Sequence, residues 1–114
     1  MEFRSSRKHG VLIYHIKGYM KDDANAYELV RLVRQRIAAE NKKIVIDLSG
    51  VDLINSSGIG IIASIITSCK NADVDLLFAA IPRNVEKIMG IVGLTHVMKA
   101  FPALDDALAT FPEE

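Results

Sequence analysis

The stretch KIVIDLSGVDLINSSGIGIIASII, Lys43 to Ile66, changes its hydrophobic period halfway along. Ile44, Val45 and Ile46 form an unbroken β-branched run, which suits a strand covered on both faces at the centre of an α/β sheet. Further on, Ile59, Ile62, Ala63 and Ile66 keep the spacing of one helix face. Residues 49–54, SGVDLI, read as a short connection between a strand ending near Leu48 and a helix starting near Ser57. A strand passing so quickly into a helix predicts an alternating α/β layout around it.

The flanking sequence continues that alternation. VLIYHIKG, Val11 to Gly18, puts Leu12, Tyr14 and Ile16 on one face of a strand. EFRSSRKHG precedes it and can pair back as a hairpin through His9-Gly10. From Asp22 to Ala39, Ala26, Leu29, Val30, Val33 and Ile37 share a helix face, with Asp22 or Asp23 as the cap. VDLLFAAI, Val74 to Ile81, is a second buried strand. Pro82 opens a helix with Val85, Ile88, Met89 and Val92 inward and Gly93 as terminator. HVMKAF reads as a last short strand and LDDALATF as a last helical turn or two. The order β-β-α-β-α-β-α-β-α predicts one domain over residues 1–114, a mixed four- to five-stranded sheet with helices packed against it.

Composition narrows the function. Half of the 114 residues are hydrophobic and a quarter are charged, which is globular rather than disordered. Fourteen basic residues balance fourteen acidic ones, so the excess of positive charge that drives nucleic-acid or anionic-membrane binding is missing. Proteins or small molecules are the expected partners. A single cysteine, Cys69, makes no internal disulfide and fits a reducing compartment. The charged MEFRSSRKHG is no signal peptide, and GIGIIASIITSC is too short to span a bilayer. A cytoplasmic protein with no membrane insertion is the expectation.

The chemistry concentrates at the turn. The first amides of a helix have no internal partner and carry the positive end of its dipole. Asn55, Ser56 and Ser57 are all good caps for them. Gly58 and Gly60 each cost roughly 1 kcal/mol against alanine in a helix, so two in one turn need a reason. Missing side chains let another backbone, a partner surface or an anion come close. A phosphoryl group, with about −1.5 to −2 charges, suits a helix start. On spacing alone, plain capping is the favoured reading; the chemistry adds an anion-tolerant helix start.

KIVIDLSGVDLINSSGIG, taken whole, closely resembles the signature of the anti-sigma factor antagonist family, the STAS domain. There a hydrophobic strand ending in Asp-Leu-Ser leads to Asp-Ser-Ser-Gly-Leu-Gly or a near variant. GYMKDDANAYEL resembles the start of the family's first helix, IPRNVEKIMGIVGLTHVMKAF its third helix and final strand, and LDDALA its tail. The resemblance implies a bacterial, non-enzymatic switch that needs no cofactor. Such a protein binds an anti-sigma factor serine kinase and so releases a sigma factor. The kinase phosphorylates it, and a serine phosphatase restores it. It implies Ser56 as the phosphorylated residue, with Ser57 the secondary candidate. Asn55, Ser56, Ser57, Gly58, Ile59, Gly60, Ile62, Lys21 and Asp22 would form the partner-binding surface, and a weak homodimer is compatible with it. Asn55 stands where the family usually has aspartate. Lys21 follows Gly18-Tyr19-Met20 where an acid is often found, a role Asp22 fills with one residue inserted.

Competing readings have less behind them. Ser56 lacks the Gly-x-Ser-x-Gly elbow, and no motif holds His9, His15 or His96 opposite it, so nucleophilic catalysis at the turn is disfavoured. His15 reads as a packed or rim side chain in its strand. The histidines are too scattered for a metal site, and GIGIIA lacks the rest of a nucleotide loop. Arg31, Arg34, Arg36, Lys42 and Lys43 read as a solvated basic face, with Glu28 and Glu40 interspersed. The alternative within the same fold is an unphosphorylated scaffold subunit of a sensory complex, or a soluble partner of a membrane transport system. Ile59, Ile62 and Ile66 cannot all face the sheet, so one of them is expected in a docking patch.

Overall fold

The computed structural model describes residues 1–111; the last three residues of the expected domain lie outside them. A hairpin starts the chain, β1 (Glu2–Lys8) pairing antiparallel with β2 (Val11–Met20). His9 and Gly10 between them both have left-handed φ, 52° and 79°, the requirement of a two-residue type I′ turn. Then follow α1 (Ala24–Ala38), β3 (Lys43–Ile54), α2 (Ser56–Asn71), β4 (Asp75–Ala79) and α3 (Arg83–Ile91). A 3-10 turn (Leu94–Val97), β5 (Ala100–Phe101) and α4 (Leu104–Leu108) close the chain. The five strands lie in chain order, with β2, β3, β4 and β5 mutually parallel, so the mixed α/β sheet expected from the sequence is what forms.

Ile44, Val45 and Ile46 are fully buried because β3 lies between β2 and β4 and both its faces are covered. Helices α1, α2 and α3 cover one face, over Leu12, Tyr14, Ile16, Met20, Ile44, Ile46, Leu48 and Phe78. On the other face α4 seats Ala107, Leu104 and Leu108 over Val11, Ile13, Val45, Leu77 and Ala79. Burying each large aliphatic side chain contributes about 1.5–3 kcal/mol, so this double-sided core dominates the stability. Of the five basic residues read as one face, Arg31, Arg34, Arg36 and Lys42 are solvent-facing, whereas Lys43 is half-buried as the first residue of β3, its ammonium 5.9 Å from the centre of the Phe111 ring. Arg31 forks onto Glu28, Arg34 donates to Ser68, and Lys42 donates to the Ala72 carbonyl.

Four expectations need correction. The strand does not end near Leu48, for β3 continues through SGVDLI to Ile54. Its pairing with β4 ends at Asp47, but two irregularities let it stay paired with β2, where Asp47 and Gly50 face His15 and Lys17, and Val51 and Leu53 face Gly18 and Tyr19. Helix α2 buries Gly58, Ile61, Ile62, Ile65 and Cys69 rather than the face through Ile59, Ala63 and Ile66. Its rotation is set at Gly58, where an added Cβ would lie 2.2 Å from the Met20 carbonyl oxygen. Val92 is exposed because α3 ends at Ile91 and Gly93, at φ 78°, turns the chain away. Most of HVMKAF is not strand: Leu94–Val97 winds as a 3-10 turn and only Ala100–Phe101 pairs with β4.

Candidate functional site

The site is the junction of β3 and α2, against the end of β2. Asn55 leaves the strand with extended backbone and is the helix cap: its Oδ1 accepts the Gly58 amide at 2.9 Å. The Asn55 amide donates to the Met20 carbonyl at 3.2 Å, tying the helix start to β2. Ser56 is therefore the first residue of α2, one earlier than the sequence suggests, and it is exposed. Ser57 is half-buried. The amides of Ser56 and Ser57 have no helical acceptor at this position, so the positive end of the helix dipole opens beside the Ser56 hydroxyl.

The two glycines have different reasons. Gly58 is buried, and its missing side chain lets the helix backbone rest on Met20 and Ile54. Gly60 is exposed, and a Cβ there would meet nothing within 4 Å. The first glycine serves the protein's own packing. The second leaves room on the outside of the helix.

Around this junction the expected residues separate. Lys21 and Asp22 are exposed just beyond Met20, and the Lys21 ammonium stands 5.3 Å from the centre of the Tyr19 ring. Asp23 rather than Asp22 caps α1, accepting the Ala26 amide at 2.8 Å. Ile59 is half-buried, whereas Ile62 is fully buried in the core and offers nothing to a partner. Ile66 is half-buried as well. The sequence reading missed Tyr19 and Leu53, which are register partners on β2 and β3, 38% and 44% exposed. Leu53 turns outward only because of the irregularities in β3, which simple strand alternation does not reveal. Cys69 sits in the core on α2, and burial pushes its thiol up to about 11, which disfavours the nucleophilic thiolate. Among the described residues no His, Cys, Asp and Glu cluster could hold a metal ion, and no helix is long and apolar enough to cross a membrane.

His15 is a partly buried side chain in its strand, as expected, and its ring is in addition bonded on both sides. Its Nε2 lies 2.9 Å from Ser6 Oγ and its Nδ1 2.8 Å from Asp47 Oδ2, across three adjacent strands. This constellation is on the far face of the sheet from α2 and does not involve Ser56.

Comparison with known proteins bears on the whole chain. The sequence model of the STAS domain matches residues 3–107. Among solved structures, a Thermotoga maritima protein provisionally assigned as an anti-sigma factor antagonist superposes with a TM-score of 0.85 at 20% identity, covering 95% of this chain and 92% of its own. An anti-sigma factor antagonist from Mycobacterium paratuberculosis gives 0.81 at 24% identity, covering 96% and 92%. The Bacillus cell fate determinant SpoIIAA, in its phosphorylated form, gives 0.74 at 13% identity, covering 96% and 98%. At these identities the structures speak for the fold, and the sequence match over most of the chain speaks for descent: the chain belongs to the STAS domain family, whose members are regulatory modules rather than enzymes.

Proposed function

We propose that this domain is a phosphorylation-switched anti-sigma factor antagonist. The turn from Asn55 to Gly60 and the outer side of the first turns of α2 dock on an anti-sigma factor that is also a serine kinase. Sequestering that factor in the cytoplasm frees a sigma factor, phosphorylation of Ser56 ends the association, and a serine phosphatase restores it. The observation that carries the reading is the exposed Ser56 hydroxyl at the first position of α2, with open space at Gly60. Half-burial of Ser57 favours Ser56 as the acceptor.

The physics gives the switch its sign. A phosphoserine carries about −1.5 to −2 charges. At a helix N-terminus a negative charge is favoured by about 0.3–1 kcal/mol, so the domain keeps its fold. Lys21, exposed at the adjoining end of β2, adds a cation nearby. A partner packed over the turn would have to accommodate and desolvate the same dianion, and it is released. The structural neighbour solved in phosphorylated form supports the view that this fold tolerates the modification.

The test uses the anti-sigma factor kinases of its own host with ATP, followed by mass mapping. Phosphate on Ser56, absent from Ser56→Ala, is the expected outcome; phosphate only elsewhere overturns the assignment. Ser56→Asp should weaken kinase binding at least tenfold, about 1.4 kcal/mol. Unchanged binding would favour the scaffold or transport-partner alternative.

A further inference from the structure

We propose that Ser6 is a second reactive hydroxyl, primed by His15 and Asp47 to accept an acyl group from an activated donor with an anionic leaving group, an acyl phosphate being the simplest. The argument starts from the strand register. Arg4 lies directly opposite His15 on β1 and β2, and His15 lies beside Asp47 on β2 and β3, so Ser6, two residues along β1, reaches the same imidazole from the other side. The hydroxyl, the ring and the carboxylate form a continuous chain, Ser6 Oγ to His15 Nε2 at 2.9 Å and His15 Nδ1 to Asp47 Oδ2 at 2.8 Å.

The protonation states follow from the acceptors. Burial raises the Asp47 carboxyl, but hydrogen bonds from the Ser49 amide and from His15 outweigh it, and it lies below its usual value. An ionised carboxylate only accepts, so His15 Nδ1–H must donate to it. In the neutral ring Nε2 is then left with a lone pair aimed at the Ser6 O–H. That is the arrangement in which a base activates a serine. His15 and Asp47 side chains are 17% and 13% exposed, sheltered enough to stay ordered and open enough to meet a reagent.

A cavity of about 410 Å³ adjoins the imidazole and the carboxylate, lined by Arg4, His15, Lys17, Asp47 and Ser49 among others; Ser6 is not in its wall and is itself half-buried, open to a reagent on its own side of the ring. Lys17 is paired with Glu2, but the Arg4 guanidinium has no hydrogen-bond or ion-pair partner among the described residues. An unpartnered guanidinium beside a base suits an anionic donor. In the step itself, Ser6 Oγ bonds to the acyl carbon and its proton passes to His15 Nε2. The bond from the acyl carbon to the phosphate oxygen breaks, and the phosphate departs past Arg4, taking the proton from His15. The product is a stoichiometric acyl-serine on a regulatory domain, without turnover.

The neighbouring Ser5 supplies an internal control, being exposed on the same strand with its side chain on the opposite face. The intact protein is treated with acetyl phosphate and acetyl groups are mapped by mass. Acetylation of Ser6 should exceed that of Ser5 by at least ~100-fold, the low end for a positioned base. His15→Gln, which keeps hydrogen-bonding groups but not the base, should remove that excess. Asp47 is a positioning residue: Asp47→Asn should bring the acetylation of Ser6 down toward that of Ser5, and Asp47→Glu, which keeps the carboxylate acceptor, should restore part of the difference. Arg4→Ala should slow reaction with acetyl phosphate but not with neutral p-nitrophenyl acetate. Equal labelling of Ser5 and Ser6, or an unaltered rate in a folded His15→Gln protein, would reduce the three residues to a hydrogen-bonded clip between strands and overturn the proposal.

Discussion

Replacing Gly58 by alanine tests the claim that a glycine sets the pose of α2. The new methyl would lie 2.2 Å from the Met20 carbonyl oxygen, 2.8 Å from its carbon and 2.9 Å from Ile54 Cγ1. Two of these atoms are backbone in a strand, so relief requires α2 to retreat by roughly 1 Å, and overpacking of this kind costs about 1–3 kcal/mol. Retreat also stretches the bond from the Asn55 amide to Met20, worth a further ~1 kcal/mol. Alanine regains about 1 kcal/mol of helix propensity. The net expectation is a loss of about 1–3 kcal/mol, a fall of roughly 0.7–2 M in urea midpoint for a slope of ~1.5 kcal/mol/M. Gly60→Ala is the matched control. Its methyl meets nothing within 4 Å, so the same substitution should raise stability by about 0.5–1 kcal/mol. Urea unfolding followed by circular dichroism reads both. A Gly58→Ala protein as stable as wild type, or a shift of the same sign in both, would refute the packing argument. If the proposed anti-sigma factor kinase packs at Gly60, the stabilised Gly60→Ala protein should nevertheless bind it more weakly.

Three further outcomes follow from the same geometry. Asn55→Ala should cost about 1 kcal/mol through loss of the Gly58 cap, whereas Asn55→Asp should keep the cap and gain about 0.3–1 kcal/mol at neutral pH, both read by urea midpoints. The carboxyl of Asp47 is depressed in the native state, so its contribution to stability is present above about pH 4 and fades as pH falls through the native value. Asp47→Asn should therefore be less stable than wild type at neutral pH and converge on it in acid; a gap that widens in acid would reverse the assignment. Cys69, with its thiol pushed up to about 11 inside the core, should resist thiol reagents at pH 8 except at the rate of opening, and rapid labelling of native protein would contradict its burial.

The order of elements was legible because hydrophobic period is a local property. The β-branched run at Ile44-Val45-Ile46, the alternation around Tyr14 and the helical spacing from Ala26 to Ile37 each carry their signal within a few residues. The helix start at Asn55-Ser56 was legible to within one residue, since capping depends on the cap and the three residues after it. What local pattern could not supply was rotation and register. Ile59 and Ile61 are both isoleucine, and which of them faces the sheet depends on Gly58 meeting a carbonyl 38 residues earlier in the chain, at Met20.

By itself, then, the amino-acid order determined an α/β domain with a serine opening its second helix. Tertiary structure alone decided that β3 runs on to Ile54, that Leu53 and Tyr19 face outward, and that Ile62 is core rather than surface. It also decided that Ser6, His15 and Asp47 form one hydrogen-bonded chain, although 9 and 32 residues separate its successive members. The physical reason is that strand pairing and irregularities in it are set by the partner strand, so contacts across a sheet are written in no single stretch of sequence.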